Sequence, residues 1–237
     1  VLRLYKIISN SLTEYEWTIT IVNNGSIDRT IEIAYKLSNK YSEISFSKLE
    51  LKGRGRAIRT EWMKKKTMIN CYMDIDLSTD LSSLPEMIEL INKGKYELVV
   101  GSRLLEKSIV NNRPLNREII SRIYSLLVRM VFLSFGRPLY IKDFQCGFKA
   151  ISPKLIQELL PYVQDNGWFF DSELILLANN NGYKIKEIPV QWTDDPDSRV
   201  KIITTAIQDL LGMIRLKFGY MRKVKKANFE KKRKLSF

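Results

Sequence analysis

Residues 68–77 read MINCYMDIDL, an apolar run closing on two aspartates one residue apart, Asp74 and Asp76, with Ser78 and Thr79 just beyond. In a β-strand, residues i and i+2 share a face. A buried strand that stops at Asp-Ile-Asp is therefore predicted to present two carboxylates side by side at the rim of a sheet. Oxygen ligands so placed can hold a hard divalent cation against the phosphates of a substrate. A short Asp-x-Asp is also a common start to a surface loop, so the flanking elements decide between the two.

Upstream, residues 18–22 form a β-branched run fit for a buried strand, which ends at Asn23-Asn24-Gly25-Ser26. Ser26 or Asp28 is placed to cap a helix over residues 29–40, whose Ile31, Ala34, Tyr35 and Leu37 make one apolar face. A short strand is expected near 44–49, and Gly53-Arg54-Gly55-Arg56 then leads into a helix through Ala57, Ile58 and Trp62. Downstream of the aspartates, Ser83 and Pro85 open another helix, and residues 97–100 make a buried strand closing on Gly101-Ser102-Arg103. Strands and helices thus alternate at βαβ spacing, which predicts an α/β fold with a mostly parallel sheet and helices on both faces. Ligands of such sheets bind beyond the carboxyl ends of the strands. The three polar motifs at 23–26, 74–76 and 101–103 all fall there.

The second half has a different texture. Residues 116–135 form a long helical pattern, apolar along one side but interrupted by Arg117, Arg122 and Arg129, and so too charged to span a membrane. A strand is expected over 185–192 and an amphipathic helix over 200–218. No stretch of about 18 uncharged apolar residues occurs.

Composition narrows the chemistry. The 237 residues include no histidine and only two cysteines, Cys71 and Cys146. Imidazole acid–base catalysis is excluded, and carboxylates, hydroxyls, basic side chains or an oxygen-held metal remain. The net charge is +13, but residues 215–237 carry ten Lys or Arg against one Glu. The basic character therefore belongs to a tail, which argues against a nucleic-acid-binding body.

With the segments in place, the chain resembles the family 2 inverting glycosyltransferases of GT-A fold. Within them it is most similar to enzymes that load a sugar onto dolichyl or polyprenyl phosphate. Residues 22–30 (VNNGSIDRT) match the family's V-D-D-G-S-x-D-x-T, 53–57 (GRGRA) its G-K-G-x-A, and Asp74-Ile75-Asp76 its D-x-D. Residues 100–103 (VGSR) and 117–122 (REIISR) match the lipid-phosphate branch. Residues 143–149 (DFQCGFK), 170–174 (FDSEL) and Trp192 through Ser198-Arg199 look most like the dolichyl-phosphate β-glucosyltransferases. The family's opening P-x-Y-N-E strand has no counterpart here. The resemblance therefore implies an N-terminally incomplete chain, with any membrane anchor ahead of it absent. Asn23-Asn24 replaces the usual Asp pair. An amide carbonyl accepts from uracil N3–H without charge, and the identity of the base stays open.

The resemblance implies a three-layer α/β/α GT-A domain over residues 1–200, followed by an amphipathic helix and basic, membrane-proximal tail over 201–237. It implies inverting transfer of glucose from UDP-glucose to dolichyl or polyprenyl phosphate on the cytoplasmic face of a membrane, of the endoplasmic reticulum or of a prokaryotic cell. Asp74 and Asp76 would hold Mg²⁺ or Mn²⁺. Asn23, Asn24, Ser26, Asp28, Gly53, Arg54 and Ile75 would complete the donor site. Arg103, Arg117, Ser121, Ser198 and Arg199 would hold the acceptor phosphate. Asp143 would touch sugar or acceptor, and Trp168, Phe169 and Phe170 are read as core. Two alternatives remain: the same chemistry with GDP-mannose, and a homologue that has lost catalysis.

Overall fold

The structure, a computed structural model, describes residues 1–133, 137–194 and 202–220. A helix α1 (Leu2–Ser11) precedes β1 (Ile19–Asn23), α2 (Thr30–Lys40), β2 (Ile44–Lys48), α3 (Arg54–Lys64) and β3 (Asn70–Met73). Then come α4 (Leu84–Asn92), β4 (Leu98–Ser102), β5 (Ile109–Asn111) and α5 (Leu115–Phe132). The chain continues through β6 (Phe148–Ile151), α6 (Pro153–Glu158), α7 (Phe170–Asn180), β7 (Ile185–Pro189), β8 (Gln191–Thr193) and α8 (Ile202–Arg215). A single π-helical turn, Leu216–Tyr220, extends α8.

The central sheet runs β3-β6-β4-β7. Strands β4 and β7 are parallel, while β6 lies antiparallel to both β3 and β4. Period-2 alternation sorts its side chains into two cores. Val99, Phe148, Ala150 and Ile188 face a layer built from α1, α2 and α4. Leu98, Val100 and Ile151 face the opposite layer of α3, α5, α6, α7 and α8. The outcome is the α/β/α sandwich expected from the alternation.

Four local expectations change. Residues 185–192 are two strands because Pro189 brings no N–H to the ladder. Pairing with β4 ends there, and β8 pairs instead with β5, in parallel. Strand β6 was not foreseen, because Lys149 interrupts its four-residue apolar run. Strand β3 stops at Met73 rather than carrying the aspartates. The Leu77 amide donates to the Asp74 carbonyl at 3.1 Å, closing a β-turn in which Leu77 takes a positive φ of 54°. Asp74 and Asp76 are thus the first and third residues of a turn, not neighbours on one strand face. Finally, β1 and β2 form a separate parallel pair. Among the described residues β1 and β3 are each paired on one side only.

Phe148, fully buried at the middle of the four-stranded sheet, predicts the strongest core effect. Phe148→Ala should lower stability by about 3–5 kcal/mol in urea unfolding, whereas Ile27→Ala, at a 99% exposed position, should stay within about 0.5 kcal/mol.

Candidate active site

Asp74 sits where β3 turns, its amide donating to the Gly147 carbonyl at 3.2 Å. Gly147 carries no side chain for a reason: an added Cβ would collide with Asp74 Oδ2. Asp74 Oδ1 accepts from Arg54 Nη2 at 3.1 Å. Arg54 stands in the first turn of α3, wedged between the Tyr72 and Trp168 rings at 5.2 and 5.1 Å. Its other amino group donates to Asp171 Oδ2. Asp171, 1% exposed at the start of α7, also accepts from Tyr72 OH and pairs with Lys149 Nζ at 2.9 Å. Lys149 is fully buried and donates to the Cys146 carbonyl at 2.5 Å. Two cations and two carboxylates from four elements therefore close a neutral buried network. Burial opposes the Asp171 charge, but Lys149 and Arg54 outweigh it and hold the carboxyl below its ordinary range.

Asp76 is exposed, and its Oδ1 accepts from the Ser78 amide at 3.0 Å. Ile75 is exposed beside it. No group of three or more His, Cys, Asp or Glu side chains among the described residues could hold a metal unaided.

At the end of β1, Asn23 is 1% exposed, and its Oδ1 accepts from the Ser26 amide at 3.1 Å. Its Nδ2 is buried without a partner among the described residues. Asn24 Oδ1 accepts from the Gly53 amide at 2.6 Å, tying this loop to the entry of α3. Gly53 has φ 156°, and a Cβ there would collide with the Asn166 carbonyl. The next amides, of Gly55 and Arg56, donate to the Gly167 and Asn166 carbonyls. Two of the first amides of α3 are thus satisfied by backbone, while Arg54 contributes through its side chain. The N-cap position of α2 is Arg29, which makes no side-chain cap hydrogen bond, so neither Ser26 nor Asp28 is the N-cap; Asp28, one residue ahead, accepts from the Thr30 amide at 3.0 Å.

A second cluster lies beyond β4. Asp143, 1% exposed, accepts from Arg103 Nε and Nη2 at 2.7 and 2.9 Å, and from the Arg103 and Gln145 amides at 3.0 Å each. Burial opposes the charge, yet Arg103 holds the carboxyl well below its usual range. The contacts of Asp143 are those of a residue that fixes Arg103, whose guanidinium also lies 4.9 Å from the Trp192 ring. On α5, Ser121 Oγ accepts from Arg113 Nη2 at 2.9 Å, and Arg117 Nη1 donates to Asp194 at 2.9 Å. Arg113 was missed by the sequence reading. Its side chain is 8% exposed, and Nε and Nη1 make no hydrogen bond among the described residues. Ser198 and Arg199 lie outside the described residues.

The two clusters meet at a cavity of ≈190 Å³ lined by Arg103, Tyr124, Gln145, Trp168, Asp171 and Asp209 among others. Phe169 and Phe170 are core as expected, but Trp168 is 39% exposed and walls this cavity. Helix α8 closes one side, Gly212 letting it approach the Phe169 ring. Beside the cavity α5 exposes Leu115, Ile119, Ile123, Leu126, Met130 and Leu133, and α8 exposes Ile207, Leu210, Leu211, Ile214 and Phe218. Neither helix, nor any other described one, is long and apolar enough to cross a membrane.

The profile of Glycosyl transferase family 2 matches residues 1–160. Glycosyltransferase AglD of Haloferax volcanii is 33% identical over 196 residues, 82% of this chain and 30% of AglD. The dolichyl-phosphate beta-glucosyltransferase of Saccharomyces cerevisiae is 25% identical over 90% of this chain and 67% of its own length. A Trichomonas vaginalis protein of that name, ALG5C, is 29% identical over 80% and 56%. The chain thus spans between about a third and two thirds of the length of these relatives. Among solved structures, glucosyl-3-phosphoglycerate synthase from Mycobacterium tuberculosis in complex with Mn²⁺ and UDP-glucose superposes with a TM-score of 0.61. It is 14% identical over 90% of this chain and 73% of that one, a likeness of fold.

Two substitutions probe the site's construction. Asp143→Asn should cost about 3–5 kcal/mol at neutral pH by leaving Arg103 buried without its counter-charge. Because the folded Asp143 pKa is depressed, the stability it contributes is present above the ordinary value of 3.8 and lost as pH falls below it. The deficit, followed by thermal melts across pH, should therefore shrink in acid. Gly147→Ala should displace Asp74 and cost about 1–3 kcal/mol by overpacking.

Proposed function

The chain belongs to glycosyl transferase family 2, and on that premise we propose that it transfers glucose from UDP-glucose to a dolichyl or polyprenyl phosphate with inversion. The observation that carries this reading is the continuity of the site. One buried network runs from the turn carrying Asp74 through Arg54 and Asp171 to a cavity whose far wall is Arg103. The network that reaches Asp74 and the Arg103 side chain thus border one half-open cavity, through Asp171 on one side and Arg103 on the other.

On the donor side, Asp74 and Asp76 fit a small hard cation. They offer only carboxylate oxygens, and Gly147 leaves room for the Asp74 carboxylate. With no third acidic ligand beside them among the described residues, the pair is of the kind that would hold Mg²⁺ or Mn²⁺ together with a phosphate substrate. Such a metal would neutralise the charge that develops on the leaving nucleotide. Arg54, braced by Asp171, adds a fixed cation beside that position. Asn23, Asn24, Ser26 and Asp28 shape the loop at the base end, with Gly53 joined to it through Asn24.

On the acceptor side no general base is required. A phosphate monoester is mostly dianionic near neutral pH, since its second pKa is about 6. Its oxygen attacks the anomeric carbon, the bond from that carbon to the diphosphate oxygen breaks, and the electron pair leaves with the diphosphate. This accounts for a site built without histidine. Arg103 positions the nucleophile; its guanidinium carries five N–H donors, Nε and Nη2 being engaged by Asp143, and the residue lines the cavity. Arg117 and Ser121 on α5, with Ser198 and Arg199, complete the phosphate contacts.

The apolar faces of α5 and α8 support a docking role at the surface of the membrane that holds the lipid. The basic residues of 215–237 would add on the order of 1 kcal/mol each against anionic lipid. On the cytoplasmic face, residues 1–200 then carry the reacting groups, while 201–237 supply the docking face, with α8 also closing one side of the cavity. The Asn24 carbonyl, committed to Gly53, leaves base selection weakly specified and keeps GDP-mannose as the second reading.

Chain incubated with UDP-[¹⁴C]glucose or GDP-[¹⁴C]mannose, Mn²⁺ and dolichyl phosphate should move label into the organic phase from UDP-glucose. Label moving only from GDP-mannose would contradict the glucose assignment. Asp76→Ala should lower transfer at least about 100-fold; undiminished transfer would remove the metal from the account.

A further inference from the structure

Asp209 has no task in the chemistry above, yet its placement is tightly constrained. It sits midway along α8, is 1% exposed and lines the cavity between the two phosphate ends. Gln145 Nε2 donates to its Oδ2 at 2.8 Å, while Oδ1 is buried and makes no hydrogen bond among the described residues. The Tyr124 hydroxyl, which meets Ser172 at 2.7 Å with either oxygen able to donate, also lies close enough to this carboxylate to favour its charged form. Burial, with Asp165 nearby, raises the Asp209 carboxyl to about 7. A buried acceptor left without a donor is destabilising, and a ligand hydroxyl would relieve it.

The pattern of α8 sharpens the point. Its exposed face is apolar, with Ile207, Leu210, Leu211 and Ile214, and its only acidic residue is turned inward. The half-open ring of Trp168 lines the same cavity, as does Gln145, whose amide is bonded to Asp209. A carboxylate, an amide and a flat aromatic face form a surface for a neutral ring rich in hydroxyls, whose O–H groups donate and whose C–H face packs on the indole. A phosphate belongs instead beside Arg103, the cation that lines the same cavity.

We propose that Asp209, held by Gln145 and sharing a cavity with Trp168, recognises the hydroxyls of the transferred hexose and so selects the sugar. This inference rests on the donor reading above and adds a specificity residue to it.

Calorimetric binding of UDP and of UDP-glucose, each with Mn²⁺, separates the two claims. Asp209→Asn is isosteric and keeps an acceptor for Gln145, so it should fold. It should weaken UDP-glucose binding about tenfold or more while leaving UDP binding unchanged, as expected for loss of a charged hydrogen bond. Should the Asp209→Asn variant prove unfolded by circular dichroism, Trp168→Leu should show the same split between the two ligands. An unchanged ratio of the two affinities in the folded variant, or equal weakening of both, would overturn the inference. Wild-type chain that binds neither nucleotide would overturn the donor reading and this inference together.

Discussion

Everything around the cavity depends on how one buried carboxylate, that of Asp171, is neutralised. Lys149 reaches it from β6, Tyr72 from β3 and Arg54 from α3. Four elements far apart in sequence are thereby forced into one register. Such a cluster need not add net stability, since desolvating each charge costs several kcal/mol. Its consequence is specificity of position, because no member can move without exposing the others to an unpaired charge. Arg54 is the member that also touches Asp74, and through it the rigid network sets the geometry of the turn at the end of β3.

The second cluster is built on the same logic. Asp143 fixes Arg103 through both carboxylate oxygens, and Glu187 in turn accepts from the Lys142 and Asp143 amides at 2.9 and 2.8 Å. The chain thus uses carboxylates to aim arginines, and in the proposed reaction the arginines are what a phosphate would meet. A reaction whose nucleophile arrives already ionised suits this design, since it asks for cationic placement and no proton abstraction. The apolar outer faces of α5 and α8 border the same cavity, which is the arrangement that the proposed lipid-borne acceptor would require.

Much of this was legible in the sequence where one physical signal dominated. The β-branched run of β1, the apolar β4 and the amphipathic α2 and α4 follow from periodicity, and their alternation set the fold class. The three strand-end motifs also stand at strand ends. What was not legible came from contacts made at long range. The turn at Asp74–Leu77 depends on the bond from Asp74 to Gly147 and on a left-handed Leu77, neither visible in a local pattern. Strand β6 was hidden by Lys149, whose charge is tolerated only because Asp171 lies opposite. A lysine inside an otherwise apolar run was the available signal for a buried partner. Asp209 and Arg113 read as ordinary polar positions until α5 and α8 are packed in place.

The central claim is that the turn at Asp74 holds a nucleotide sugar through a divalent metal, on a frame set by Asp171. Titrating the chain with UDP-glucose in the presence and absence of Mn²⁺, with chelator in the second case, tests it directly. The account predicts saturable binding with Mn²⁺ and at least a tenfold loss without it, roughly the 1.4 kcal/mol that a tenfold change represents. Equal affinity in both conditions would contradict it.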